Sequence, residues 1–272
     1  MSKGVVKRVI VTPDKHFPLH HQPSINVLKK TIEIVKPDAY VDLGDVGEWE
    51  GFSAWKYKRK KAPPLEFLIK DFEKDVKDVN AGMDQIDESL DKVNCEERYI
   101  TEGNHDNWLN MAVEKYPYIP QYKFKNAVDL KGRGYKYIPF GKHLKLGKLY
   151  LYHGHQYGGQ YHTSNHLRKL GCNVMYGHWH DLQQMSATHM DGPKSAWSIG
   201  CLKDMAASNK GLPKLPKATR NKMGYKKAGG MVKKIGGGQV LKYKKGTGSK
   251  TIKGRMGGND VVAGCYDKSY IS

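Results

Sequence analysis

The chain of 272 residues holds only four cysteines, Cys95, Cys172, Cys201 and Cys265, scattered and without a CxxC pair. That spacing argues against a zinc knuckle and against a disulfide framework, and points to reduced thiols in a cytosolic compartment. No run approaches the roughly 18 apolar residues that a membrane-crossing helix needs, which excludes such a span. The opening MSKGVVKRVIVTPDKH has a short basic start but too few apolar residues before Pro13 to form a secretory signal core. Acidic side chains are scarce too: 27 Asp and Glu stand against 46 Lys and Arg, a formal charge of +19.

The basic excess is uneven. Residues 205–272 carry 16 of the Lys and Arg with only Asp260 and Asp267 opposing them, and 13 of the 30 glycines. This divides the chain into a folded part, 1–204, and a basic Gly/Lys-rich tail, 205–272. Such a composition buries too little apolar surface to offset its ordering entropy, so a flexible, solvated appendage is expected. Interspersed Lys and Tyr also suit an electrostatic tether to nucleic acid. Within the tail a short hairpin around Gln239–Tyr243 and a final strand at Val261–Cys265 are the two elements the pattern allows.

In the folded part, Val5–Thr12 and Ala39–Leu43 are β-rich apolar runs ending at Pro13 and Gly44. Between them Ser24 is placed to cap a helix bearing Ile25, Leu28, Ile32 and Val35 at helical spacing, and Pro37 stops it. The unit reads as a parallel β-helix-β crossover. Leu65, Leu68, Phe72, Val76, Val79, Met83, Ile86, Leu90 and Val93 recur by threes and fours, which predicts a long amphipathic helix despite Gly82. Further strands are expected at Arg98–Thr101, Leu149–Tyr152, Asn173–Tyr176 and Ala196–Ile199. Helices are expected at Asn107–Lys115 and from Thr163 to Leu170. Pro117–Phe140 lacks clean periodicity and reads as a rim or lid. Strands alternating with helices make the fold class α/β, layered on a central sheet.

Polar residues able to bind metal recur just beyond the strand ends: Asp14-Lys15-His16, Gly44-Asp45 with Glu48, Gly103-Asn104-His105-Asp106, His153-Gly154-His155 and Gly177-His178-Trp179-His180. In α/β sheets the crevice beyond the carboxyl ends of the strands is where ligands bind, so five loops are expected to converge there. A lone histidine at a strand end is ordinarily a structural residue. A string such as GNHD, however, arises by chance in a chain this long only about once in several hundred, and here it stands in order among four others.

In these motifs the sequence resembles the calcineurin-like metallophosphoesterases, whose signature runs D-x-H, G-D, G-N-H-D/E, a later H, then G-H-x-H. The resemblance covers about residues 5–204 and leaves the tail aside. It implies two stacked β-sheets flanked by helices, a four-layer sandwich with a dinuclear metal centre at one edge. Carried over residue by residue, it implies one divalent ion held by Asp14, His16 and His180, a second by Asn104, His153 and His178, and Asp45 bridging both. Manganese leads as the metal, with iron, zinc, nickel or cobalt also suited to these ligands. The implied reaction is hydrolysis of a phosphomonoester or phosphodiester by in-line attack of a hydroxide shared between the ions. His105 would stabilise or protonate the leaving oxygen. Asp106 would orient and charge-tune His105, or serve as a simple helix cap.

Around these lie weaker candidates. His155 supports a ligand, contacts substrate or lies exposed on its loop, and His20 and His21 are substrate-phosphate contacts or plain loop residues. Glu48, which completes GDxxE, either hydrogen-bonds a ligand or approaches the site. Trp49, Tyr157 and Trp179 form an aromatic wall or pack in the core, and His162 and His166 share a helix face with no third ligand following. The leading reading is a metal-dependent phosphoesterase in the cytoplasm, acting on a phosphoester substrate and, through the basic tail, on nucleic acid, with no membrane partner. The alternative is a nucleic-acid-binding or assembly protein that uses the tail and keeps the metal fold as a platform. The compact core and Gly/Lys-rich tail are reminiscent of phosphoesterases encoded in phage genomes.

Overall fold

The computed structural model describes residues 7–53, 56, 63–208, 254–256 and 259–263. Strands β1 (Val9–Thr12) and β2 (Ala39–Asp42) lie parallel, with Ile10 opposite Tyr40 and Thr12 opposite Asp42. The crossover between them is α1 (Gln22–Val35), which buries Ile25, Leu28 and Ile32. Its start differs from expectation. Ser24 is not the cap but a buried residue of the first turn, with Oγ 2.8 Å from His21 Nδ1. Pro23 opens the helix instead, where its missing N–H leaves no bond unmade. Lys36, in the left-handed region at φ +47, closes it before Pro37.

The long amphipathic helix is α2 (Leu65–Lys92), which buries Leu68, Phe72, Val79, Met83, Ile86 and Leu90 as its period requires. Next come β3 (Glu97–Thr101) and α3 (Asn104–Lys115). The latter begins three residues earlier than expected, because the Asp106 carboxylate accepts the Gly103 N–H and tightens the first turn.

Pro117–Phe140, without clean periodicity in sequence, is built of short elements. It contains a 3-10 turn at Pro120–Tyr122, the one-turn helix α4 (Phe124–Ala127) and strand β4 (Tyr135–Ile138), parallel to β3. It also buries Ile119, Tyr122, Phe124, Val128, Leu130 and Tyr135. Apolar residues distributed over successive tight turns have no helix or strand period, which is why the pattern looked irregular.

The remaining strands are β5 (Leu144–Leu146), β6 (Leu149–Tyr152), β7 (Asn173–Tyr176), β8 (Leu182–His189) and β9 (Gly192–Ile199), with α5 (His162–Leu170) between β6 and β7. The described part of 205–272 supplies α6 (Met205–Ser208), β10 (Gly254–Met256) and β11 (Asn259–Ala263). The expected late strand thus corresponds to β11, which lies parallel to β1 with Val261 opposite Val9. The hairpin expected at Gln239–Tyr243 lies outside the described residues. One sheet has the order β10-β11-β1-β2-β3-β4 and the other β5-β6-β7-β9-β8.

Side chains alternate across each strand, and the apolar clusters follow that alternation. Ile10, Tyr40 and Ile100 face α1, α2 and α3 in one cluster. Their strand neighbours Val11, Val41 and Tyr99 join Leu151, Met175 and Trp197 of the second sheet in another. Tyr152, Val174, Tyr176 and Ala196 pack with Leu167 of α5 in a third. Cys95, Cys172 and Cys201 are free thiols, and no described helix is long and apolar enough to cross a membrane.

Candidate metal centre

The loops after β1, β2, β3, β6 and β7 meet at one place. Asp14, His16, Asp45 and His153 are all buried there. Three triples of side chains bring ligand atoms within 4.8 Å of one another: Asp14, His16 and His180; Asp45, His153 and His178; and His16, Asp45 and His105. Asn104 completes the second triple, with Oδ1 2.9 Å from His153 Nε2. All seven residues expected as ligands therefore lie together.

Local backbone geometry explains the motif glycines. A Cβ on Gly177 would stand 2.0 Å from Asp14 Oδ1, and one on Gly103 would stand 2.2 Å from the backbone nitrogen of Asp45. Only glycine lets these loops close on one another. Four of these seven residues, His16, Asp45, His178 and His180, hold left-handed φ values of 51°, 48°, 65° and 55°. Such a conformation costs energy in a residue with a side chain, and it persists because the surrounding hydrogen bonds over-determine it. The His178 N–H, for example, donates to both Asp14 oxygens at 3.0 and 2.9 Å, and the His105 N–H donates to Asp45 Oδ1 at 2.8 Å.

The donor set fits cations. His153 Nδ1 lies 2.9 Å from the Leu43 carbonyl, which holds the ring proton on that side and turns the Nε2 lone pair inward. There Nε2 faces Asn104 Oδ1 at 2.9 Å, His178 Nδ1 at 3.1 Å and Asp45 Oδ2 at 3.3 Å, all of them acceptors or ligand atoms. His16 Nε2 and His180 Nε2 likewise stand 3.1 Å apart, with Asp14 Oδ2 3.1 Å from the latter. Lone pairs so crowded are stable only around positive charge.

Without metal, protons take that part. Burial favours the neutral imidazole, yet the Asp45 carboxylate drives His153 up to about 9. Burial acts the same way on His180, and the Asp14 hydrogen bond overrides it, to about 10. Burial raises the carboxyls of Asp14 and Asp45, but their histidine partners bring both below the usual range. His178 is taken down to about 4 by burial and by the charge on His153, which outweigh the opposing pull of Asp45 and Asp14.

His105 belongs only to the third triple, its ring 4.7 Å from that of His16 and packed at 4.0 Å on Trp108. Its Nδ1 lies 2.9 Å from the Glu48 carbonyl. That carbonyl, not Asp106, is the orienting group. Asp106 is fully buried and accepts from the Gly103 N–H at 3.1 Å, the Val46 N–H at 3.2 Å and Trp49 Nε1 at 2.8 Å. It ties the loops after β2 and β3 together, and so the capping alternative describes it better than the charge-tuning one. Burial and the neighbouring Asp45 charge push its carboxyl up to about 8.

The weaker candidates separate. Glu48 contacts His16, with Oε2 2.8 Å from Nδ1. Lys203, unmarked by any sequence pattern, donates to the same oxygen at 2.6 Å. His155 stacks face to face on Phe140 at 4.1 Å, next to the centre. His20 pairs with Gln22 instead. Trp49 is core, and Trp179 stacks at 5.0 Å on His162, which bonds Tyr176 and Asp181. His166 packs on Tyr176 and Tyr157 lies against His166. His162 and His166 thus support the GHWH loop from behind and belong to none of the three triples found among the described residues.

No protein-family model matches the chain. Over 187 residues it is 25% identical to the Gene 54 protein of Mycobacterium phage L5, covering 64% of this chain and 69% of that protein. The likeness is to a phage protein whose name states no activity.

Proposed function

We propose that the protein is a phosphoesterase dependent on two divalent metal ions, built on a four-layer metallophosphoesterase-type sandwich. The observation that carries this reading is the place of Asp45. Its Oδ2 lies 3.7 Å from His16 Nε2 and 3.3 Å from His153 Nε2, between one triple of ligands and the other. A carboxylate so placed could be shared by two cations, which Asp14, His16 and His180 would hold on one side and Asn104, His153 and His178 on the other. Manganese suits this set of imidazole and oxygen ligands, as do iron, zinc, nickel and cobalt.

Two ions bound there would activate a water for attack at phosphorus and neutralise the phosphoryl oxygens. The chain's own residues supply the rest. Two carboxylates against two divalent ions leave the pocket net positive, which favours an anionic ester. With Nδ1 donating to the Glu48 carbonyl, His105 would turn Nε2 to the pocket, where, in its imidazolium form with both nitrogens protonated, it can give a proton to the leaving oxygen. The +14 charge of residues 205–272 supports a polyanionic substrate such as nucleic acid.

The test is hydrolysis of bis(p-nitrophenyl) phosphate, p-nitrophenyl phosphate and labelled single- and double-stranded DNA by manganese-loaded protein. Turnover abolished by both EDTA and Asp45→Asn is the expected result. If the protein binds two ions yet stays silent across the panel, and its DNA binding is steeply salt-dependent and indifferent to Asp45→Asn, the binding or assembly reading replaces this one.

A further inference from the structure

Glu48 and Lys203 lie 155 positions apart in sequence and meet behind one ligand of the centre. His16 is almost fully buried, and its two ring nitrogens have different surroundings. Nε2 points at His180 Nε2, 3.1 Å away, and at Asp45 Oδ2, 3.7 Å away. Nδ1, on the far side of the ring, lies 2.8 Å from Glu48 Oε2, an ion-pair contact off the line of a hydrogen bond. An imidazole binds a cation through the nitrogen that lacks a proton, so the negative charge of a carboxylate beside the other nitrogen favours the proton there and strengthens the ligand. His153 has only the Leu43 carbonyl in that place.

Two other carboxylates, Asp14 and Asp45, flank the opposite nitrogen of the same imidazole. The Glu48 side chain is 22% exposed and therefore has a path to solvent. Lys203 Nζ, at 2.6 Å, opposes that escape. The lysine is itself held in place, because its neighbours are strapped to the first loop: Leu202 N–H donates to the Asp14 carbonyl and Asp204 N–H to the Leu19 carbonyl, each at 2.7 Å. On the other side, Glu48 N–H donates to the Phe17 carbonyl at 2.9 Å.

We infer that Glu48 and Lys203 are positioning residues for the half-site of Asp14, His16 and His180. Glu48 holds the His16 Nε2 lone pair on the cation, and Lys203 keeps Glu48 turned inward. The inference rests on the metal-centre reading above, and it makes the last residues before the basic segment part of the support of one ion.

The experiment is a Mn2+ titration of the full chain by equilibrium dialysis, with no turnover involved. In an Asn104→Ala background, which weakens the other half-site, Glu48→Ala should loosen the remaining ion about 10- to 100-fold, as loss of an outer partner of a ligand does elsewhere. Lys203→Met should loosen it less. Glu48→Gln, which keeps an acceptor near Nδ1 but not the charge, should recover only part of the affinity. In a His180→Ala background, Glu48→Ala should leave the ion at the other half-site unchanged. Should Glu48→Ala fail to fold, Lys203→Met leaves every backbone bond of the strap intact and reads the same effect. Unchanged Mn2+ affinity in the first background, or equal losses in both, overturns the inference. Wild-type protein that binds no Mn2+ overturns the metal-centre reading itself, and this inference with it.

Discussion

Replacing Gly82 by alanine sets two effects of opposite sign against each other. Gly82 lies in the interior of α2, where alanine is the better helix former by about 1 kcal/mol. Yet a Cβ there would stand 2.2, 2.3 and 2.6 Å from Cγ, Cδ1 and Cδ2 of Phe17, whereas carbon atoms in contact prefer about 3.5–4.0 Å. The ring is fully buried, and its backbone is pinned on both sides by the Val46 carbonyl and the Glu48 N–H, at 2.8 and 2.9 Å. Helix or loop must then move by about 1 Å. Overpacking of this kind costs about 1–3 kcal/mol, and with three ring atoms affected the upper figure applies. The net expectation is a loss of about 2 kcal/mol, or about 4–8 °C in Tm for a domain of this size. Because Phe17 follows His16 directly, Mn2+ affinity should fall as well. Thermal melts in EDTA and Mn2+ titrations read the two effects, and adding Phe17→Leu should return part of the loss. A Gly82→Ala protein that melts at or above the wild-type temperature would refute the reasoning, since the helix-propensity gain would then have met no resistance.

Three further outcomes are expected. His105→Ala should lower kcat by about 10²- to 10⁴-fold while two ions still bind, as measured by turnover beside metal counting. Asp106→Ala leaves three buried donors without an acceptor and should cost about 3–5 kcal/mol in chemical denaturation, whether or not metal is present. Burial pushes the Asp75 carboxyl up to about 6, only partly offset by the Gly51 N–H that donates to it. A carboxyl raised in the folded state stabilises fully below its unfolded value near 3.8 and loses that contribution as pH rises through 6. Melting temperature should therefore drop across that window on this account, and Asp75→Asn should flatten the drop; an unchanged profile would exclude Asp75 as its source.

Much of the architecture was legible because its signals are local. Ile25, Leu28 and Ile32 share one face of α1 for the same reason that Phe72, Val79 and Ile86 share one face of α2: 3.6 residues per turn leaves a mark in the sequence. Short buried strands such as β2 and β7 showed as apolar runs ending in glycine. β4 and β8 left no such mark. Lys136 interrupts the first, and the second is an edge strand whose face is largely exposed, so neither presents a buried run. Ser24 misled because a capping residue and a buried first-turn serine have the same local signature, and only contact with His21 separates them.

By itself the sequence determined the chemistry on offer: which loops carry carboxylates and imidazoles, in what order, and with glycines at the points where loops must touch. Tertiary structure decided which atoms meet. It turned Asp106 away from His105 and onto three loop donors, put Glu48 and Lys203 behind His16, and moved His162 and His166 to the back of the GHWH loop. The physical reason is distance along the chain. Periodicity and motif spacing report neighbours within a few residues. A contact such as Lys203 with Glu48 exists only after strands of two separate sheets have come together and fixed the loops at their ends.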